Sequence, residues 1–183
     1  MTITEYGRKV FKSTEAIPHD PSKYLERVNR EIRNIDSVII TYLSESINTY
    51  NINQLLSSTI ALGCASEKAL LLLIDTYQKT FNKIQGAERF EQKVKNRMIK
   101  TQFEEFQKDF KRIVGLLPKG LADNYENILL GVFEMFRNQR NSAGHPIGYT
   151  VDKEMLFSNL QVFVVYCKRI YELIAYFNTH KHD

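Results

Sequence analysis

Leu62–Tyr77 reads LGCASEKALLLLIDTY, and the block Leu70-Leu71-Leu72-Leu73-Ile74 within it is apolar on every side of a helix. A surface helix carries one apolar stripe. A helix that is apolar all round is either covered on several sides or meets a second subunit. The stretch therefore predicts a central helix, from about Asn53 to Phe81, with other helices packed around it.

Working outward, the four prolines at 18, 21, 118 and 146 divide the rest of the chain. Before the central helix, Asp20-Pro21-Ser22 offers a cap and a first-turn proline for a helix carrying Leu25, Val28, Ile32, Ile35, Ile39 and Tyr42. After it, Val94, Phe103, Phe106, Phe110 and Ile113 mark a third helix that ends near Leu117-Pro118. A fourth spans roughly Leu121 to Ala143 through Tyr125, Leu129, Val132, Phe133 and Phe136. A fifth, capped by Asp152, holds Leu156, Leu160, Phe163, Val164, Cys167, Ile170, Tyr171 and Ile174. No segment shows the alternation of a strand between turn residues. Each stripe needs another helix to bury it, so the expectation is an all-α, single-domain bundle of four to five main helices. Residues 1–183 form that one domain, with loose ends at about 1–19 and 179–183, including the tail His180-Lys181-His182.

The 183 residues fall within the ordinary range of one domain, roughly 50–250. With 43% hydrophobic and 25% charged residues, the composition excludes wholesale disorder. Lys and Arg outnumber Asp and Glu by 25 to 21, a net charge of +4 that permits an acidic partner such as RNA without announcing one. Cys64 and Cys167 form no CxxC pair, and the histidines at 19, 145, 180 and 182 share no ligand spacing, so neither a metal nor a cofactor is expected. The N-terminal MTITEYGRKVFKST lacks the apolar run of a signal peptide. The longest uninterrupted apolar run, Ala69–Ile74, is far shorter than the roughly 18 residues of a membrane span. A cytoplasmic protein without a membrane partner is the expectation.

One stretch does not read as core: Phe136-Arg137-Asn138-Gln139-Arg140-Asn141-Ser142-Ala143-Gly144-His145-Pro146. At 100° per residue Arg140 falls in the apolar arc of the fourth helix, about 20° from Phe133, where packing alone would prefer a leucine. A guanidinium placed there needs an anion or acceptors. Arg137 flanks it from the preceding turn, and Asn141 lies one turn before His145. Gly144 and Pro146 end the helix around His145, whose imidazole suits both acid and base roles near neutral pH. An arginine fork beside it can hold a phosphate. The plainer account is a basic helix C-terminus favoured by the helix dipole and a surface histidine. Tyr149 can stack on a base or simply pack a turn. Glu67, Asp75 and Glu134 read as scattered single carboxylates, and Lys93, Lys95, Arg97 and Lys100 as a solvated face or the extension of an RNA track.

RNSAGH, Arg140 to His145, resembles the signature of the HEPN superfamily, helical bundles whose motif is Arg, a polar residue commonly Asn, a few variable residues and His. Gly144-His145-Pro146 resembles the ending of several branches, and Gly63 to Leu70 resembles an early-helix segment of some members. The resemblance covers about residues 20–178, but its sharp part is the six-residue motif. It implies an HEPN-like fold and a metal-independent endoribonuclease acting as a homodimer, with Arg140, Asn141 and His145 as catalytic residues. Arg137 and Tyr149 would then bind substrate RNA. It also implies a toxin or antiphage defence setting, with a nucleotidyltransferase-type antitoxin or another defence partner. Other members of the superfamily are non-catalytic binding modules for RNA, nucleotides or proteins, and that alternative stays open here.

Overall fold

The computed structural model describes residues 20–123 and 125–182, apart from the side chain at 126. Seven helices of eleven residues or more build the described chain: α1 (Pro21–Glu31), α2 (Ser37–Asn51), α3 (Leu55–Lys79), α4 (Ile84–Val94), α5 (Ile99–Ile113), α6 (Val132–Gly144) and α7 (Lys153–Phe177). A 3-10 turn (Val114–Leu116), a one-turn helix (Lys119–Ala122) and a π-helical segment (Glu126–Gly131) join α5 to α6. No strand forms among the described residues; a single bridge pairs Phe81 with His182.

The all-α expectation holds, and the count of four to five helices is corrected to seven. The extra helices come from breaks within stretches read as continuous. The stripe through Ile32, Ile35 and Ile39 is divided between α1 and α2, separated at Asn34, whose φ is 56°. Val94 and Phe103 likewise belong to different helices, α4 and α5, with Asn96 at φ 57° between them. Asn53, φ 62°, turns α2 into α3. Asparagine tolerates the left-handed region better than most side chains, so it stops a helix without a glycine or a proline. Each new start is fixed locally where a cap exists. Asp36 accepts from the Val38 amide at 2.8 Å, while its own amide donates to the Tyr171 hydroxyl at 2.7 Å, tying the α1–α2 corner to α7.

Asp20 and Asp152 cap α1 and α7 as their positions in the sequence suggested, accepting from the Lys23 and Met155 amides at 3.2 and 2.7 Å.

α3 is the axis of the bundle. Leu62, Ala65, Ala69, Leu70, Leu73 and Tyr77 are buried along it, against α2, α5, α6 and α7. By length and composition it is the one described helix that could cross a membrane, and 61% of its apolar window is buried inside the protein. α2 and α3 approach closely through Ser46 and Ser58, each hydroxyl donating to the other residue's carbonyl, at 2.9 and 2.7 Å. The aromatic core continues from Phe103 and Phe133, 4.5 Å between centroids, to Phe136, Phe163 and Tyr166. The Tyr24 hydroxyl donates to the Leu160 carbonyl, seating α1 on α7.

The reading of 179–183 as a loose end differs from what the structure shows for Thr179 to His182. The His182 amide donates to the Thr80 carbonyl at 2.9 Å, and its carbonyl accepts from the Asn82 amide at 2.7 Å. Its imidazole is buried and stacks on Tyr77, 4.1 Å between ring centroids. The aromatic surface at the end of α3 supplies the burial that the polar tail sequence does not advertise. The other expected loose end, 1–19, lies outside the described residues.

Candidate functional site

The site forms where α3 and α6 cross. A Cβ on Gly63 would stand 2.4 Å from the Arg140 Cβ and 2.6 Å from its Cγ, so the missing side chain is what lets the Arg140 stem lie across α3. The stem is on the packed side of α6, as the helical arc required. The guanidinium, however, reaches the rim, and the side chain is 38% exposed. Arg140 thus packs its methylenes and keeps its charge at the water boundary.

Two acceptors hold that charge. Asn141 Oδ1 accepts from Arg140 Nη1 at 3.1 Å, and Glu67 Oε2 lies 3.8 Å from Nη2. Glu67 sits one helical turn beyond Gly63, and its side chain is only 14% exposed. Burial raises its carboxyl above the usual range, against the opposing pull of the Arg140 and Arg137 guanidinium groups. Arg137, read from the sequence as a flanking residue, is the more buried of the two arginines at 14% exposure; its Nη2 donates to Glu134 at 2.7 Å. Two polar atoms here, Glu67 Oε1 and Arg137 Nε, are buried without a hydrogen-bond partner among the described residues. Buried polar groups are rarely left so, and where they are, a binding or catalytic role is one of the standing explanations.

His145 follows the last turn of α6 in extended conformation, φ −97° and ψ 140°, with its amide bonded to the Asn141 carbonyl at 3.1 Å. The residue is exposed, and its imidazole makes no hydrogen bond or ion pair with a described residue. The structure therefore brings Arg140 and Asn141 into contact and leaves His145 beside them, facing outward. Gly148, φ 73°, then turns the chain, and the half-buried Tyr149 lines a groove of about 480 Å³ together with Asn53, Leu55 and Leu56 at the start of α3. Behind the motif, Gln139 accepts from the buried Asn159 at 2.6 Å, locking α6 to α7.

Gly63 and Glu67 are the members that motif reasoning undervalued. Their signal is a glycine and an acid four residues apart, one turn of the central helix, just before its apolar block. Among the described residues no group of three or more His, Cys, Asp and Glu side chains gathers as a metal ion would need. The basic run does not form one track. Lys93 pairs loosely with Glu105 at 4.0 Å, Lys95 with Glu91 at 2.7 Å and Lys100 with Glu104 at 3.8 Å. Comparison of the chain with family models, curated proteins and solved structures gives no match in any of the three.

Proposed function

We propose that the protein is a metal-independent endoribonuclease whose site is Arg140, Asn141 and His145. The reading is carried by the cationic pair Arg137 and Arg140 gathered over a buried carboxylate, with an exposed histidine at the end of the same helix. RNA carries its own nucleophile, so such a site needs proton transfer and charge stabilisation. The 2′-oxygen attacks phosphorus while its proton passes to the His145 imidazole. The bond to the 5′-oxygen breaks, and that oxygen takes a proton from the imidazolium of a second copy's His145, giving a 2′,3′-cyclic phosphate and a 5′-hydroxyl. Arg140 offsets the charge that grows on the phosphoryl oxygens, Asn141 and Glu67 hold the guanidinium in place, and Tyr149 offers a ring to a base.

A second copy of the chain completes this reading, because two His145 imidazoles can divide the base and acid roles between them. Ile52, Leu56 and Ile147, 65%, 45% and 71% exposed, flank this end and offer apolar surface for a homodimer. In this proposal the setting is a toxin or defence effector held in check by a protein partner.

Incubating the protein with single-stranded and structured RNA in EDTA tests the reading. Cleavage by the wild type and none by R140A or H145A is the expected result; no cleavage by the wild type, or undiminished cleavage by both variants, overturns it. A second reading is favoured by one observation: the Arg140 charge is already met by Asn141 and Glu67, which suits a non-catalytic binding module. RNA retention without turnover, unaltered in H145A, selects that reading.

A further inference from the structure

A second concave site lies at the opposite end of α3, and it is cationic. Tyr77, beneath it, is fourteen residues beyond Gly63, about 21 Å along the helix. The cavity holds about 530 Å³, within the roughly 300–1,000 Å³ of small-molecule sites. Lys83, Arg89, Lys93 and Arg112 line it against a single acid among the described residues, Asp109, with Phe81 contributing an aromatic wall. The acid is already engaged: Asp109 accepts from the Tyr77 hydroxyl at 3.0 Å and from Arg112 at 3.2 Å. Lys93 has only its loose 4.0 Å approach to Glu105, and Arg89 has no hydrogen-bond or ion-pair partner among the described residues. α4 begins beside the cavity without a side-chain cap and without an acid in its first turn, so its positive end adds to the same field. Gly86, in that first turn, makes room for the Phe81 ring: a Cβ there would lie 2.9 Å from Cδ1.

We propose that this cavity binds the oligophosphate group of a small molecule. Several cations converging on one concavity match a ligand that concentrates three or four negative charges, and guanidinium forks suit phosphate oxygens better than a single carboxylate. The chemistry has two sources, an inorganic oligophosphate or the phosphate tail of a nucleotide, for which Phe81 supplies a ring face. The site is separate from the Arg140 centre and does not depend on RNA cleavage.

Calorimetric titration of the full chain with inorganic tripolyphosphate, with sulfate at matched ionic strength and with ATP, tests the proposal. Tripolyphosphate is expected to bind one to one and sulfate not to bind. R89A/K93A, two exposed positions whose folding is checked by circular dichroism, should weaken tripolyphosphate binding about tenfold or more. D109N keeps an oxygen for the Tyr77 hydroxyl and removes the anion that lines the cavity among the described residues, so it should tighten binding, a gain that damage to the fold does not produce. H145A should bind as the wild type does, whatever the outcome of the RNase assay. Tighter binding of ATP than of tripolyphosphate assigns the nucleotide as the source, and equal binding assigns the oligophosphate itself. Equal affinity for sulfate, equal affinity in R89A/K93A, or binding of RNA but not tripolyphosphate through Arg89 and Lys93 overturns it.

Discussion

Arg140 and His145 should fail in different ways, because one is anchored and the other is not. His145 is exposed and its imidazole holds nothing else in place, so H145A should lose RNA cleavage while its melting temperature stays within about a degree of wild type. Arg140 neutralises Glu67, so R140A leaves a buried carboxylate short of a partner and should cost about 1 kcal/mol as well as activity. Thermal melts beside RNA-binding titrations separate the two, and a melt of H145A several degrees low identifies His145 as a structural cap. Glu67 itself supplies a pH signature. Its folded carboxyl lies above the ordinary 4.5, so the stability it contributes is complete below that value and is lost as pH rises through the folded value. E67Q removes that dependence, and its melting temperature relative to wild type should rise as pH climbs from about 4.5 through the raised value of the folded carboxyl and then level off. A flat difference contradicts the assignment. The motif itself was legible as residue types at a spacing. Its support by Glu67 was not, because a lone carboxylate on α3 and an arginine more than seventy positions later show no pattern until the helices cross.

At the scale of elements, the closeness of α3 and α6 rests on Gly63. G63A places a methyl group against the root of the Arg140 side chain, which has no flexible end with which to give way. The helices must part, at a cost of about 1–3 kcal/mol, and the chemical denaturation midpoint should fall with little change in slope. The π-helical turn before α6 makes the opposite prediction. Glu126–Gly131 carries one residue more than an α-helical path of the same span would need, so deleting Asn127 should let it relax to ordinary helix with Arg140 still over Gly63. Deleting one residue within Val132–Phe136 instead turns the rest of α6 by about 100° and should abolish folding or activity. Circular dichroism and the RNase assay on the two deletions distinguish these outcomes. Helix identity was legible from apolar spacing, and helix endings were legible at prolines and capping aspartates. The breaks at Asn34 and Asn96 were hidden because Ile32 and Ile39, or Val94 and Phe103, are buried on both sides of each break, so the apolar stripe runs on through it.

For the whole molecule, the apolar block of α3 told its position correctly: an axis needs burial around its circumference, and Leu70, Leu73 and Ile74 are covered while Leu71 remains 37% exposed. Within one chain the bundle already covers most of that circumference, so α3 itself asks little of a partner. The polar sequence of the tail concealed the opposite lesson, since His182 is retained by three rings from two separate stretches, Tyr77 and Phe81 at the end of α3 and Phe177 at the end of α7. That docking ties the final turns of the two longest helices into a single unit for solvent exchange. The amide protons of His182 and Asn82 are each bonded across the junction, so neither should be released to deuterium unless both ends open together. Their exchange rates should therefore be slow and matched, with the Asn82 and His182 amides responding equally as denaturant is raised. Immediate exchange at His182 beside a protected Asn82 would show that the two ends breathe separately.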